Sequence, residues 1–366
     1  MVYLINILIE VFLGIVLLSA VPIGDTETVN RITNKNRKIY CIICGTLWFL
    51  ISGLRNLTVG ADTLSYRFSF ETVKSQSVRT LFKNITDKYI SGASVKDPGY
   101  DFFVKIFQYF SENYQVYLVF IAALFMIPFT VWIIKESKNP SISFVLYSSL
   151  FYSFFSITGI RQTISTAMVV LIGDKFIKDK KLIPFVIVVL LASTIHSSAL
   201  VFLPFYFLSR IPVNIKTISA WIIGIVISFL ARRQLKTFFI DISGYDDYAK
   251  DYEGAGTFTF TLIMLLIFVW VIISFSGNKE IEKNKRLYNA FFLAMFFTPL
   301  TWLNPSAMRV VQYFSIYLVL LIPQMIEDTF DEKSKPIATG IIAAILSLLL
   351  LKDNPQYTFF WQEGIL

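Results

Sequence analysis

The chain has 366 residues, of which 55% are hydrophobic and only 16% charged. Apolar runs of membrane-spanning length recur from end to end, which excludes an ordinary soluble domain. The formal net charge is +8, yet no basic block with interleaved aromatics accompanies it, so nucleic acid is excluded as a partner. The positive excess sits in short loops between apolar runs, as an inner-face bias requires.

In chain order the predicted spans are 3–21, 39–54, 115–134, 141–158, 161–178, 182–209, 215–231, 257–276, 287–303, 306–326 and 336–351. They define an all-α polytopic membrane protein, one integral domain over 1–366 with about 11–12 transmembrane segments. The first run contains Glu10 and has no basic residues ahead of it, so it reads as a spanning helix and not as a secretory signal. Cys41 and Cys44 form a CxxC inside the second run. Without a second pair they read as small helix residues, not as a metal or redox site.

The segment 182–209 exceeds one untilted crossing and carries His196-Ser197-Ser198 near its middle. As a single helix it would send Lys279, Lys283, Lys285 and Arg286 to the outer face. A helical hairpin turning near His196 returns them to the inner face. There they join the loops with Arg31, Lys35, Arg37 and Lys38 and with Lys175, Lys178, Lys180 and Lys181. Charge bias selects the hairpin. Each arm is then ~14 residues or ~21 Å long, which puts the turn below the outer surface at the floor of a cavity.

This topology leaves two long extracellular loops, 55–114 and 232–256. In the first, Phe102, Phe103, Ile106, Phe107 and Phe110 recur at helical spacing opposite Asp101, Lys105 and Gln108, so residues 100–110 read as an amphipathic interfacial helix. The second is rich in Tyr and Asp, with Tyr245-Asp246-Asp247-Tyr248 and Asp251-Tyr252-Glu253. Its Arg232, Arg233 and Lys236 sit on the wrong side for the charge rule.

Ionisable groups at membrane depth mark functional sites by default. Three helices start at the outer face: at Arg161, near His196-Ser197-Ser198, and at Ser306 after Asn304-Pro305. Arg161 and Arg309 occupy the helix end that disfavours a cation, which makes sense if an anion bridges them. Gln162 adjoins Arg161, while Gln312 and Tyr313 follow Arg309 on one helix face. Snorkelling to the surface is the plain alternative for each arginine. Arg55 ends the second span, followed by Val59-Gly60-Ala61-Asp62-Thr63 and Tyr66, and Asp97-Pro98-Gly99-Tyr100 is a second acidic turn. Asp62 and Asp97 equally suit helix capping. His196 is a candidate general base or donor, against the alternative of a packed histidine.

These stretches, together with Ser137-Lys138-Asn139-Pro140, Ile160-Arg161-Gln162, His196-Ser197-Ser198-Ala199-Leu200 and Arg309 with Tyr313-Phe314, resemble the EpsG-like branch of Wzy-type exopolysaccharide and capsular polysaccharide polymerases. Their order covers nearly the whole chain. The resemblance implies a multi-pass protein of the bacterial plasma membrane with its active site facing outside. Its substrate would be an undecaprenyl-pyrophosphate-linked oligosaccharide, joined to a second unit by inverting glycosyl transfer with lipid pyrophosphate as leaving group. Flippase and chain-length regulator proteins are the implied partners, alongside membrane lipid.

On that chemistry Arg161 and Arg309 hold the pyrophosphate, with Arg55 as a weaker third. Gln162, Gln312 and Tyr313 are substrate contacts, and His196 and Asp62 are the two candidates for the base. No metal site and no cofactor are assigned, because arginines can neutralise the leaving group. The alternatives are a membrane O-acyltransferase, with His196 as acyl-transfer base, and a lipid-linked oligosaccharide flippase.

Overall fold

Two helices that approach almost to backbone contact set the frame of one half of the chain. In the computed structural model, which describes residues 1–18, 26–93, 95–243, 257–275, 280–352 and 355–362, α1 is Val2–Leu18 and α2 is Thr26–Gly53. The 55–114 segment, read from sequence as a loop with one helix, folds into three. They are α3 (Thr63–Lys74), α4 (Val78–Ser91) and α5 (Pro98–Gln108), and α6 (Tyr114–Glu136) follows. The close approach is between α2 and α6: a Cβ on Gly53 would lie 3.1 Å from the Val119 Cα. Small residues are what allow helices to pack this tightly in an apolar setting.

The two ends of α6 are capped differently, one by its own flanking residue and one by α2. Asn113 accepts the N–H groups of Gln115 and Val116 at its start. At its end Arg37 of α2 donates to the carbonyls of Ile133, Ile134 and Ser137, where a cation is electrostatically favoured. Ser137 then turns extended, and Asn139 accepts the Ile142 N–H while Pro140 opens α7 (Pro140–Leu146). The Ser-Lys-Asn-Pro stretch is therefore a helix stop followed by a helix start.

Among the described residues there is no strand, only an isolated antiparallel bridge between Arg55 and Phe359. The described chain divides into two compact units, Met1–Leu81 with Tyr100–Ala167 and Ile322–Leu366, and Phe82–Gly99 with Met168–Leu321. In the first, Trp48 packs against the rings of Tyr3, Tyr147 and Tyr152. Its indole N–H donates to Glu10 at 2.7 Å, and Glu10 also accepts from Asn6 and Ser148. Glu10, which looked like an interruption of an apolar run, is a fully buried hub of hydrogen bonds.

A helix forms where the 100–110 pattern predicts one, as α5 over Pro98–Gln108, and its apolar face is shared out. Phe103 and Phe107 stack on Phe120 of α6, Tyr100 and Val104 are buried, and Ile106 and Phe110 stay exposed. The chain end returns to the same unit. Asn56 N–H donates to the Thr358 carbonyl and Phe360 N–H to the Leu54 carbonyl, both at 2.9 Å. The Tyr357 hydroxyl reaches the Ile51 carbonyl. This C-terminal strap ties down the turn after α2.

The helical path after α7 is irregular. Tyr147–Phe151 and Ser153–Ile157 are wound as π-helix, Gly159 at φ +54 opens α8 (Ile160–Thr166), and Ala167–Ile172 is again π-helical before α9 (Gly173–Lys178). Such windings concentrate near functional sites.

In the second unit α10 (Leu182–Ile195) stops at His196, whose extended backbone leads into a 3-10 turn over Ser197–Phe202 and α11 (Phe205–Leu208). Phe185 and Tyr206 would stand ~30 Å apart in one continuous helix, but their ring centroids are 5.3 Å apart. The chain doubles back at His196. Then come α12 (Ile215–Leu230), α13 (Arg232–Ser243), α14 (Phe258–Ser274), α15 (Glu280–Lys283), α16 (Lys285–Phe297) and α17 (Met308–Ser315). The chain ends with α18 (Leu318–Thr329) and α19 (Lys335–Lys352). The Tyr/Asp-rich stretch 244–256 and Lys279 lie outside the described residues.

By length and composition α6 alone among the described helices can cross a membrane. Two bent pairs pass together, Ile215–Leu230 with Arg232–Phe238 at 81° and Pro305–Ser315 with Leu318–Thr329 at 51°. Most of the other expected spans are represented by apolar helices of 10–17 residues. The helical, apolar chain fits a membrane protein.

Candidate functional site

The residues singled out from sequence fall in both units. In the first, Arg55 is 2% exposed and its guanidinium donates to the carbonyls of Ser52 and Ser156. It braces the end of α2 against the π-helical stretch before Gly159. Gly60 takes φ +95, and a Cβ there would lie 2.7 Å from the Ile157 carbonyl oxygen. Only glycine fits so close an approach in that conformation. Thr63 adds a bond to the Val59 carbonyl at 2.6 Å, while Asp62 stands at the start of α3 without a side-chain capping bond.

Arg161 meets two aromatic rings. Its guanidinium carbon is 4.7 Å from the Tyr100 ring centre and 5.9 Å from that of Tyr66, and its backbone N–H points to the Tyr66 hydroxyl at 3.4 Å. Burial pushes the Tyr100 hydroxyl well above its usual range, so the ring faces the arginine as a neutral π system and not as a phenolate. Beside it Gln162 is buried and donates weakly to Thr166 at 3.5 Å.

The second unit contains the arrangement that sequence reasoning missed. Asp97, 1% exposed, sits with one carboxylate oxygen 3.3 Å from His196 Nδ1, and its other oxygen accepts the Ser197 N–H at 3.2 Å. Asp97 adopts φ +47, a left-handed conformation that aspartate tolerates better than most residues. Gly99 makes the approach possible, since a Cβ there would overlap Thr194 at the end of α10. The Asp-Pro-Gly stretch is thus a turn pressed against the hairpin bend, and Tyr89 of α4 adds a bond to the Ser193 carbonyl at 3.2 Å. The pairing spans 99 positions of sequence, and no local pattern announces it.

His196 lines a cavity of about 600 Å³ within this unit. Arg309, Lys236, Asn304, Ser197, Ser198 and Ser306 share the wall, and the rest is apolar, including Leu200, Trp221, Phe296 and Phe297. Asn304 accepts the Ser306 N–H at 2.9 Å and so starts the turn that carries Arg309. Gln312 and Tyr313, on the following turn, are buried beside the cavity wall and are not part of it. Tyr313 meets the Ser198 hydroxyl at 3.3 Å and so ties α17 to the bend at His196. Beneath it the Phe314 ring stacks on Phe202 and Phe297.

Further along, Asp174 of α9, 1% exposed, pairs with Arg286 of α16 and accepts the Tyr317 hydroxyl at 2.9 Å. The pair fixes the far end of the segment that bears Arg309.

An amphiphilic cavity with a carboxylate-backed histidine and cationic side chains is suited to an anionic, partly apolar ligand. No curated protein and no solved structure matches the chain. The sequence model of the EpsG family matches residues 38–360, a stretch that includes the Arg55 turn, the Arg161 cage, the Asp97–His196 pair and Arg309. The chain belongs to the EpsG family.

Proposed function

We propose that the protein is a polysaccharide polymerase that joins lipid-pyrophosphate-linked oligosaccharide repeat units at the outer face of the bacterial plasma membrane, in the manner of Wzy-type enzymes. Family membership supports an exopolysaccharide polymerase-like activity. The observation that carries the finer reading is the cavity wall that holds His196, backed by Asp97, together with Arg309 against apolar side chains.

In this reading the ionised Asp97 accepts the hydrogen of His196 Nδ1, which leaves Nε2 as the basic nitrogen. The acceptor sugar hydroxyl attacks the anomeric carbon and gives its proton to Nε2. A new C–O bond forms as the bond to the pyrophosphate oxygen breaks, and the lipid pyrophosphate leaves with the electron pair. Displacement from the opposite side inverts the anomeric centre. Arg309 stabilises the charge that builds on the leaving group. Arg161, which faces the Tyr100 and Tyr66 rings, is a substrate-binding arginine of the first unit, and Arg55 acts by bracing the turn that leads to Asp62. His196 takes precedence over Asp62 as base because it has a carboxylate partner and lines the cavity. Gln162, Gln312 and Tyr313 act as substrate contacts or hold the arginines' helices in place.

The chain crosses the membrane repeatedly in this reading, with its Lys- and Arg-rich loops inside. Undecaprenyl pyrophosphate is the carrier, and flippase and chain-length regulators are the partners the pathway logic requires. The same Asp–His pair would also serve acyl transfer, but a thioester donor brings no pyrophosphate leaving group for Arg309 to hold.

The experiment is reconstitution of purified protein in lipid with a synthetic polyprenyl-pyrophosphate repeat unit, resolving products on a gel. A ladder of longer products is expected, lost in His196→Ala and in Arg309→Ala. Absence of a ladder from folded protein that still binds the labelled lipid would favour a flippase. Transfer of an acyl group from a supplied thioester would establish the acyltransferase instead.

A further inference from the structure

Three cations at the start of the 232–256 loop violate the charge rule, and the structure gives each a separate place. Arg232 donates to the Phe229 carbonyl at 2.7 Å and stacks on the Phe229 ring at 4.7 Å. It therefore caps the C-terminus of α12, where a cation is favoured, at the point where the chain bends by 81° into α13. Arg233 is exposed. Lys236 is one helical turn beyond Arg232 and lines the cavity that contains His196 and Arg309.

Lys236 and Arg309 are the charged side chains of that wall besides His196, and both are positive. A mostly apolar wall with two like charges gains most from a ligand that is anionic at one end and hydrocarbon at the other. We propose that Lys236 binds the phosphate of the lipid pyrophosphate, as the second cation of this cavity beside Arg309. This rests on the polymerase reading of the site and extends it to a residue of the 232–256 segment. The two cations divide the work by their chemistry. The guanidinium of Arg309 offers a planar fork to two phosphate oxygens, whereas the ammonium of Lys236 is a point charge on a flexible stem. Such a charge can follow the leaving oxygen as it moves away from the sugar. The bend capped by Arg232 explains why the cation comes from α13. A straight continuation of α12 would carry Lys236 onward along the helix axis by ~9 Å over six residues, not back across the wall.

The test is equilibrium binding of tritiated farnesyl pyrophosphate to the full-length protein in phosphatidylcholine nanodiscs, with farnesol and inorganic pyrophosphate as competitors. Lys236→Gln is expected to weaken farnesyl pyrophosphate binding by about 10- to 100-fold, the loss of one charge-assisted contact. Lys236→Arg should stay within about threefold of wild type, and Arg233→Gln should bind as wild type does. Farnesol binding should be unchanged in all three, which shows that the cavity is intact in the Gln variant. If inorganic pyrophosphate competes as well as the farnesyl form, the site reads phosphate without lipid and the lipid half of the proposal fails.

A second measurement needs no variant. Amine-directed acetylation of wild type, mapped by peptide mass spectrometry, should be suppressed at Lys236 by farnesyl pyrophosphate and not by farnesol. Lys236→Gln binding as tightly as wild type, or Lys236 labelling that ligand leaves unchanged, overturns the assignment while the polymerase reading stands. Wild type that binds farnesol but no farnesyl pyrophosphate overturns the lipid-pyrophosphate reading itself, and this inference with it.

Discussion

The Asp97 carboxylate bridges the His196 ring and the Ser197 backbone, 3.3 Å from Nδ1 and 3.2 Å from the N–H. One acidic side chain thus orients the only histidine in the chain and holds the backbone at the hairpin bend. Removing its charge should affect chemistry more than folding. Asparagine tolerates the left-handed backbone at φ +47, so Asp97→Asn is expected to keep its fold and lose polymerisation rate by about 10²-fold or more, in line with general-base loss. His196→Ala should lose a similar factor. Single-turnover rates across pH separate the roles, because a base fails when protonated: Asp97→Asn should shift the acidic limb of the profile to lower pH, whereas His196→Ala should abolish that limb. Equal rates for Asp97→Asn and wild type would show that the carboxylate is only a turn residue.

Gly60 should resist any side chain. An added Cβ would meet the Ile157 carbonyl at 2.7 Å and the Thr63 hydroxyl at 2.9 Å, on a backbone at φ +95. Gly60→Ala is expected to cost about 1–3 kcal/mol, visible as a lowered unfolding temperature in detergent by intrinsic fluorescence. A variant as stable as wild type would mean that this turn relaxes freely.

The Asp174–Arg286 pair is a structural clamp, with Asp174 1% exposed and also bonded to Tyr317. Arg286→Ala leaves the buried Asp174 carboxylate without its closest cation, with Lys178 at 3.9 Å, and is expected to destabilise by about 3 kcal/mol. Asp174→Asn combined with Arg286→Ala should be milder than Arg286→Ala alone. A double-mutant cycle by thermal unfolding measures the coupling, and simple additivity would contradict a direct pair.

Glu282 supplies a pH dependence. It accepts the Val213 N–H at 2.9 Å and pairs with Lys285 at 2.6 Å. The Lys285 contact, then the Val213 N–H, pull its carboxyl below the usual range against a small burial penalty. A depressed folded pKa means the stabilisation is present above the unfolded value, about 4.3, and is lost as pH falls through the folded value. Wild type should therefore exceed Glu282→Gln in stability at pH 7, and the gap should close on acidification below about pH 4. The effect is small, because the side chain is 47% exposed. A gap that widens in acid would refute the assignment.

The sequence by itself determined the class of the molecule and much of its punctuation. Composition and apolar run length made it helical and apolar in a way that fits a membrane protein, and the EpsG resemblance was legible because motif order survives without three-dimensional knowledge. Asn139-Pro140 acts locally, so the helix start it makes follows from residue type and position. The break at His196 was legible too, since loop charges report which way a chain must turn.

Only the tertiary structure decided which polar residues meet. Asp97 and His196 lie 99 positions apart, and either could have served as a cap or a packed residue in isolation. Arg55 reads from sequence like Arg161 and Arg309, but folding surrounds it with carbonyl oxygens, gives Arg161 two aromatic rings, and puts Arg309 on a cavity wall. Lys236 violated a one-dimensional charge rule until a bend of 81° gave it a place on that wall. The reason is common to all of these residues. A hydrogen bond or ion pair acts over ~3–4 Å between groups whose separation along the chain is set by packing, and packing energy is a property of faces and not of residue order.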